Sequence, residues 1–317
     1  MNKNIVVLQP KSEFSEQLQD TLSRLGDITY IDSLREYPLE ELIRLAKKAD
    51  ILAFDTECVG GVEKAQSRLQ TLLEAMPNLK GLTLNTSGYD YINKDYLRER
   101  NIMVTNTPYY CVEAIAQHSI SLLTGCAKRI FLADRRTQKR KYRLELGREP
   151  SHLSVGVIGL GRIGERVVKL CQGLGMSVSA YNRTRKPMEH VRRRPIDDLL
   201  NKSDVILLHL AINEETTGFL SKERIGLIKK GAIVINMVDP KLVDEKAMAK
   251  ALKSGRVDQY AYEKESTNGS PLKGIETALA FKPFGWYTKE SLNRNKEIWV
   301  KNIAGLCREQ PTNKITL

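Results

Sequence analysis

The residues with the clearest chemical meaning in this sequence are three glycines. Gly159, Gly161 and Gly164 form a G-x-G-x-x-G directly after the apolar run Val155-Gly156-Val157-Ile158, with Leu160, Arg162 and Ile163 between them. An amphipathic segment follows, in which Val167, Val168 and Leu170 alternate with Arg166, Lys169 and Gln172. That order reads as strand, glycine turn, helix. Gly159 allows the tight turn, Gly161 lets backbone approach a pyrophosphate, and Gly164 lets the helix pack close to the strand. The helix N-terminus then offers free N–H groups and a positive dipole end to phosphates. A second strand, Ser177 to Tyr181, comes at βαβ spacing and ends in Asn182-Arg183-Thr184-Arg185-Lys186. Sites for the non-phosphorylated dinucleotide carry an acidic residue about 20 residues past the glycines, for the ribose hydroxyls. Asn182 stands there instead, and Arg183 and Arg185 can pair with a 2′-phosphate. The expected cofactor is therefore NADPH, held by Gly159, Gly161, Arg162, Ile163, Gly164, Asn182, Arg183, Thr184 and Arg185.

The elements that must position this loop follow from periodicity. Before residue 110 the chain reads as repeated strand–helix units, which implies a parallel α/β sheet. Strands are expected at Ile5–Leu8, Ile28–Ile31, Ile51–Phe54, Leu79–Leu84 and Val104-Thr105. Helices are expected at Phe14–Leu25, Leu39–Lys48 and Ala65–Ala75. A long helix is expected from Val112 to Phe131, and residues 132–152 read as a charged surface arm. Further strands are expected near 155–158, 177–181, 204–209, 232–236, 257–262 and 278–281. Thr288 can cap a last helix to about Ile303 that buries Trp299 and Ile303.

With 317 residues, 41% hydrophobic and 28% charged, the composition suits a globular protein of about two domains. No apolar run approaches 18 residues, so no membrane span is expected. The N-terminal run is too short for a signal peptide, and a cytoplasmic protein is expected. Five scattered cysteines form no C-x-x-C pair, so neither a disulfide framework nor a metal site is expected. The net charge of +12 gathers in 128–148 and 183–194. It would suit nucleic acid, a membrane surface or an anionic substrate. The favoured reading is a solvated basic face with a cofactor-phosphate pocket, because no interleaved aromatics accompany the charge; a nucleic-acid partner is not expected.

Several segments together resemble the D-isomer-specific 2-hydroxyacid dehydrogenase family. They are Asn85-Thr86-Ser87-Gly88-Tyr89-Asp90, Asn106-Thr107-Pro108, Val112-Glu113-Ala114-Ile115-Ala116-Gln117-His118, His209-Leu210-Ala211 with Glu215-Thr216, Gly231 to Asn236 with Leu242-Val243-Asp244-Glu245, and Trp286-Tyr287-Thr288. The resemblance implies an α/β protein with two Rossmann-like or flavodoxin-like lobes, parallel sheets and a cleft between them. The substrate domain would be discontinuous, residues 1–106 plus 285–317, and the NADP-binding domain would be 107–284. Thr86, Ser87 and Gly88 would bind the substrate, and His209, Leu210, Ala211, Thr216, Met237 and Val238 would join the cofactor site. A homodimer, with the 132–152 arm at its interface, is also implied.

The same comparison shows a departure. The family binds the substrate carboxylate with an Arg and donates a proton from a His held by a Glu. Here Asp239 stands at the Arg position and Pro283 at the His position. None of the four histidines, His118, His152, His190 and His209, lies after residue 209. Glu265 fits the family's Glu only with a short deletion, a register that puts Tyr260 at the family's Asp. A carboxylate in place of a guanidinium repels a 2-keto acid, the more so in a dry cleft. The expectation is therefore an NADPH-dependent reductase with altered catalytic residues, acting on an activated C=C, C=N or C=O bond, such as a dehydroamino acid, an imine or a peptide. Asp239, Glu265, Lys282 and Tyr260 are the catalytic candidates, with Tyr262 as a further proton donor. A catalytically inactive NADPH-binding relative is the alternative, and an ordinary 2-keto-acid reductase the weaker one.

Overall fold

Short β-branched runs separated by amphipathic segments build two parallel sheets. The computed structural model describes residues 3–184 and 188–317, and Arg185, a cofactor candidate, lies outside them. The chain divides into two compact units, residues 1–110 with 289–317, and residues 111–288. Each expected boundary is displaced by a few residues along the chain.

In the first unit, strands β1 (Lys3–Val7), β2 (Gly26–Tyr30), β3 (Ile51–Phe54), β4 (Gly81–Leu84) and β5 (Met103–Thr105) form a parallel sheet in the order β2-β1-β3-β4-β5. Helices α1 (Glu16–Ser23), α2 (Leu39–Ala46), α3 (Val62–Glu74) and α4 (Lys94–Glu99) connect them. Ser15 caps α1 by accepting the Leu18 N–H, which starts the helix later than the apolar stripe alone suggests. The final helix (Lys289–Cys307) runs beyond its expected end. It buries Trp299 and Ile303 completely against Ile5, Val7, Phe14 and Leu22, and Trp299 Nε1 donates to the Thr83 carbonyl. Full burial of such a side chain contributes about 1.5–3 kcal/mol.

In the second unit, β6 (Ser154–Ile158), β7 (Ser177–Tyr181), β8 (Arg192–Arg193), β9 (Val205–Leu208), β10 (Ala232–Asn236), β11 (Val257–Glu263) and β12 (Ala278–Phe281) form a parallel sheet. Its order is β12-β11-β10-β9-β6-β7-β8. Helices α5 (Val112–Ala127), α6 (Ile130–Gln138), α7 (Arg162–Gly173), α8 (Ile196–Lys202), α9 (Lys222–Leu227) and α10 (Glu245–Lys253) accompany it. The apolar faces of α5 and α7 cover one side of this sheet, where Ala116, Leu123, Val167 and Val168 are buried with Val155, Val157 and Leu207.

The single helix expected from Val112 to Phe131 is two helices. Arg129 takes a left-handed conformation, φ 61°, between α5 and α6, and its guanidinium pairs with Asp258 at 2.8 Å. A left-handed residue cannot continue a right-handed helix. The expected surface arm is helical as far as Gln138.

Much of the basic excess is structural. Arg136, 8% exposed, forms two hydrogen bonds to Glu276 at 2.7 and 2.9 Å and pairs with Glu145. Asp204 takes Arg148 and Lys229 at 2.9 and 2.8 Å, contacts that hold its carboxyl well below the usual range. Arg192 and Arg193 form the edge strand β8, and Arg194 pairs with Asp198 at 2.6 Å.

Candidate active site

The glycine turn has the geometry that its spacing implies. Gly159 has φ +99°, and a Cβ there would lie 2.5 Å from the His209 carbonyl oxygen. A Cβ on Gly164 would lie 2.0 Å from the Gly159 oxygen, so α7 can sit this close to the turn only without a side chain. Gly161 is different. It is the N-cap residue of α7, it has ordinary negative φ, and a Cβ there would meet nothing within 4 Å. Open space therefore adjoins a helix N-terminus whose cap residue has no side chain, which fits a bound pyrophosphate.

The second strand closes this loop. Asn182 Oδ1 accepts the Leu160 N–H at 3.0 Å, and its amide nitrogen donates to the Thr184 carbonyl and hydroxyl at 3.0 and 3.1 Å. Both ends of the amide are thus used to shape the loop. Arg183 is exposed and pairs with Glu215, and Arg193 donates to the Asn182 carbonyl at 3.2 Å.

The loop after β9 is drawn in beside the glycines. The His209 N–H donates to the Ile158 carbonyl at 2.8 Å, and burial pushes the His209 imidazole down to about 4. Thr216 Oγ1 donates to the Ala211 carbonyl at 2.7 Å and receives the Asn213 N–H, so 211–217 is a turn tied by its own side chains. Leu210 packs partly buried against the core that includes Ile158 and Leu208. Ile163 and Met237 pack in the α5–α7 core, and the Val238 N–H donates to Asn236 Oδ1.

The catalytic candidates are not gathered. Asp239, half-buried, accepts the Lys241 N–H at 2.7 Å and caps the short turn 240–242. Lys282 and Glu265 form an ion pair with each other at 3.2 Å, with both side chains about 70% exposed (72% and 69%). Tyr260 is buried at 1% exposure, stacks on Tyr262 with centroids 4.7 Å apart, and its hydroxyl meets Asn236 Nδ2 at 3.3 Å. Burial raises the pKa of both tyrosines. Tyr260 and Tyr262 are thus placed in the core, and Glu265 is a surface carboxylate.

The buried carboxylate of this segment is Glu263, at the carboxyl end of β11. It is 8% exposed and accepts the Phe284 and Gly285 N–H groups at 3.0 and 2.7 Å. His118, from the second turn of α5, brings Nε2 to 3.8 Å from Glu263 Oε1, and its ring packs edge-on against Phe284 at 4.9 Å. His118 Nε2 is itself buried with no hydrogen-bond partner among the described residues. Burial pushes the imidazole down and the carboxyl up, toward neutrality in both. Neither residue was singled out for chemistry from sequence. They lie 145 positions apart (263 minus 118), and only the register of β11 and the start of α5 bring them together.

In the first unit, Thr86, Ser87 and Gly88 do form one loop. Thr86 Oγ1 donates to the Gly88 carbonyl at 2.7 Å and contacts the Tyr91 hydroxyl, Ser87 Oγ donates to the Thr107 carbonyl, and Asn106 Nδ2 donates to the Ser87 carbonyl. The loop is held at the carboxyl ends of β4 and β5, where α/β sheets bind ligands.

A parallel sheet whose first strand leads through a glycine turn into an open helix N-terminus defines a dinucleotide-binding unit. Residues 120–280 match the family model described as "D-isomer specific 2-hydroxyacid dehydrogenase, NAD binding domain". The chain belongs to the D-isomer specific 2-hydroxyacid dehydrogenase family. It is 33% identical to a glyoxylate reductase of Pyrococcus horikoshii over 70% of this chain and 68% of that one. It is 28% identical to a hydroxypyruvate reductase of Blautia hydrogenotrophica over 93% of each. Among solved structures, an acyclic imino acid reductase (Bsp5) in complex with NADPH and D-Arg is similar with a TM-score of 0.82 and 25% identity, over 99% of this chain and 100% of that one. The fold is thus a two-domain α/β dehydrogenase fold with an NAD(P)-binding domain. No helix among the described residues is long and apolar enough to cross a membrane.

Proposed function

We propose that the chain is an NADPH-dependent reductase of an activated C=N, C=C or C=O bond in a substrate other than a simple 2-keto acid. The observation that carries the reading is Asp239 at the carboxyl end of β10. The resemblance places a guanidinium there, and this chain places a carboxylate that caps its own turn. A carboxylate there repels an anionic substrate and tolerates an amine-bearing one. The similarity to an acyclic imino acid reductase in complex with NADPH and D-Arg favours the C=N class and the phosphorylated cofactor.

The bound cofactor supplies the hydride. Gly159, Gly161 and Gly164 with the α7 N-terminus would hold its pyrophosphate, Met237 and Val238 would border it, and Arg183 with Arg185 would take the 2′-phosphate. The second unit is then the cofactor domain and the first, with Thr86, Ser87 and Gly88, the substrate domain. For the proton we assign His118, whose Nε2 lies 3.8 Å from Glu263 Oε1, in place of Lys282, Tyr260 and Glu265. A pair of His118 on α5 and Glu263 at the carboxyl end of β11 would supply the acid that the resemblance places at Pro283.

The test is NADPH oxidation against three groups of substrates: glyoxylate and hydroxypyruvate alone, 2-keto acids with an excess of a primary amine or ammonia, and dehydroamino acids free and in peptides. Turnover confined to the second or third group supports the reading. Efficient turnover of the keto acids alone makes the chain an ordinary reductase, as the names of its relatives suggest. NADPH binding with no turnover at all makes it an inactive relative. A homodimer is part of the proposal, supported by the exposed apolar side chains Tyr142, Leu144 and Leu146 in the 139–149 segment. Light scattering on the purified chain and on a Leu144→Glu, Leu146→Glu variant checks it.

A further inference from the structure

Three polar side chains meet at the carboxyl edge of the first unit's sheet. Gln9 follows β1, Asp55 follows β3 and Asn85 follows β4. The sheet order β2-β1-β3-β4-β5 reverses direction at β1, so the crevice between the ends of β1 and β3 is its topological switch point. Ligands of open parallel sheets bind there. Gln9 and Asp55 stand on its two sides.

The hydrogen bonds at this point are unbalanced. Asp55 Oδ2 accepts from Gln9 Nε2 at 2.5 Å and from Asn85 Nδ2 at 2.9 Å, and Oδ1 accepts the Glu57 N–H at 3.0 Å. Both amides are thereby oriented with nitrogen toward the carboxylate. Their oxygens, Gln9 Oε1 and Asn85 Oδ1, are buried and accept nothing among the described residues. Gln9 is 7% exposed and Asp55 4%. Lys296 is the cation whose field reaches Asp55, and its ammonium donates to Glu13 at 2.7 Å. Burial accordingly pushes the Asp55 carboxyl upward. With the carboxyl ionised, as a bound cation would hold it, the carboxylate and the two amide oxygens are all acceptors. Buried acceptors call for a donor, and a buried carboxylate for a cation. An ammonium brings three donors and a guanidinium five, and neither accepts.

We infer that Gln9, Asp55 and Asn85 form a binding site for the ammonium or guanidinium group of an amine-bearing substrate. Asn85 immediately precedes the Thr86–Gly88 loop, so the cationic group and the rest of the substrate share one stretch of chain. The inference rests on the proposed reductase reading and names its substrate class.

Agmatine, which carries both cationic groups and no carboxylate, is the probe. Its binding to the full chain is measured by calorimetry with and without NADPH, beside pentanol as a neutral control and acetate as an anionic one. Saturable agmatine binding is expected, with none for the controls. Asp55→Asn is expected to weaken it at least tenfold and Gln9→Met several-fold. An unchanged affinity in either folded variant, or no binding to the parent, overturns the inference. So does an Asp55-dependent response to potassium or calcium ions that replaces the response to agmatine. If Asp55→Asn does not fold, Gln9→Met and Asn85→Leu decide by the same criterion. Agmatine binding needs no turnover, so it stands or falls apart from the NADPH-oxidation panel.

Discussion

His118 Nε2 stands 3.8 Å from Glu263 Oε1, and the same carboxylate oxygen accepts the Phe284 and Gly285 N–H groups. One buried carboxylate thus fixes the loop after β12 and faces a histidine from α5. The loop carries Pro283, at the position where the resemblance expects the proton donor.

Replacement of this pair separates proton donation from packing. His118→Asn should lower the reductase rate by about 10²- to 10⁴-fold, the usual worth of a positioned acid, while NADPH affinity changes less than about twofold. Because burial lowers the His118 pKa from its ordinary value near 6.5, the rate should fall with rising pH on the acid side of 6.5. Glu263→Gln can still accept the two loop N–H groups but cannot support an imidazolium, so it should move that limb to lower pH. Steady-state pH profiles of the three proteins check both statements, and a profile unmoved by either change removes His118 from the reaction.

The glycine turn makes a contrast between two neighbouring positions. Gly161→Val fills open space and should lower NADPH affinity more than about tenfold, with little change in melting temperature. Gly164→Ala drives a Cβ into the Gly159 oxygen and should cost about 1–3 kcal/mol of stability, the usual range for overpacking. Fluorescence titration and thermal melts of both variants read the two effects separately.

Cofactor choice should respond to the ion pair of Arg183 with Glu215. Arg183→Ala with Arg185→Ala should weaken NADPH binding by more than about tenfold and NADH binding by less than about twofold, since only the former meets a 2′-phosphate. Glu215→Gln should do the reverse. An exposed pair is worth about 0.2–1 kcal/mol, so freeing Arg183 should tighten NADPH at most about fivefold. Equal losses for both cofactors in the double variant would defeat the assignment.

Acid stability should be limited by His209. Its imidazole, buried beside the glycine turn, titrates near 4, well below its ordinary 6.5. In the unfolded chain it takes up a proton near 6.5, so from there down to about 4 the unfolded state binds the proton that the folded state refuses. Stability therefore falls as pH falls through that window. At pH 5 the gap of about 1.5 units corresponds to about 2 kcal/mol. Urea melts at pH 7 and pH 5 should show this loss in the parent, and His209→Gln should show a smaller one.

The cofactor loop was legible because its reasons are local. A strand, three glycines and a helix sit within a short stretch, and the positive φ of Gly159 and the crowding at Gly164 are properties of a turn that the neighbouring residues build. The alternation of apolar runs likewise pointed to a parallel α/β sheet before residue 110, and the resemblance to two lobes. Other features were not legible because their causes are distant. The helix expected from Val112 to Phe131 breaks at Arg129, whose partner Asp258 lies on another strand. The basic segment 128–148 looked solvated, yet Arg136 is held by Glu145 and Glu276. Asn182 occupied the expected place after the second strand, but only the fold shows both ends of its amide committed to Leu160 and Thr184.

The catalytic candidates mark the boundary most sharply. By itself the sequence determined the dinucleotide loop and the expectation that Asp239 and Pro283 stand where the resemblance places the usual pair, because identity and local spacing need no third dimension. Which carboxylate is buried was decided by the tertiary structure. Side chains alternate along β11, and the burial of Glu263 together with the exposure of Glu265 depends on where that strand ends and on what α5 lays over it. The meeting of His118 with Glu263, and of Gln9 with Asp55 and Asn85, required the strands to be ordered in their sheets, since only that ordering brings residues so far apart in the chain within reach of one another.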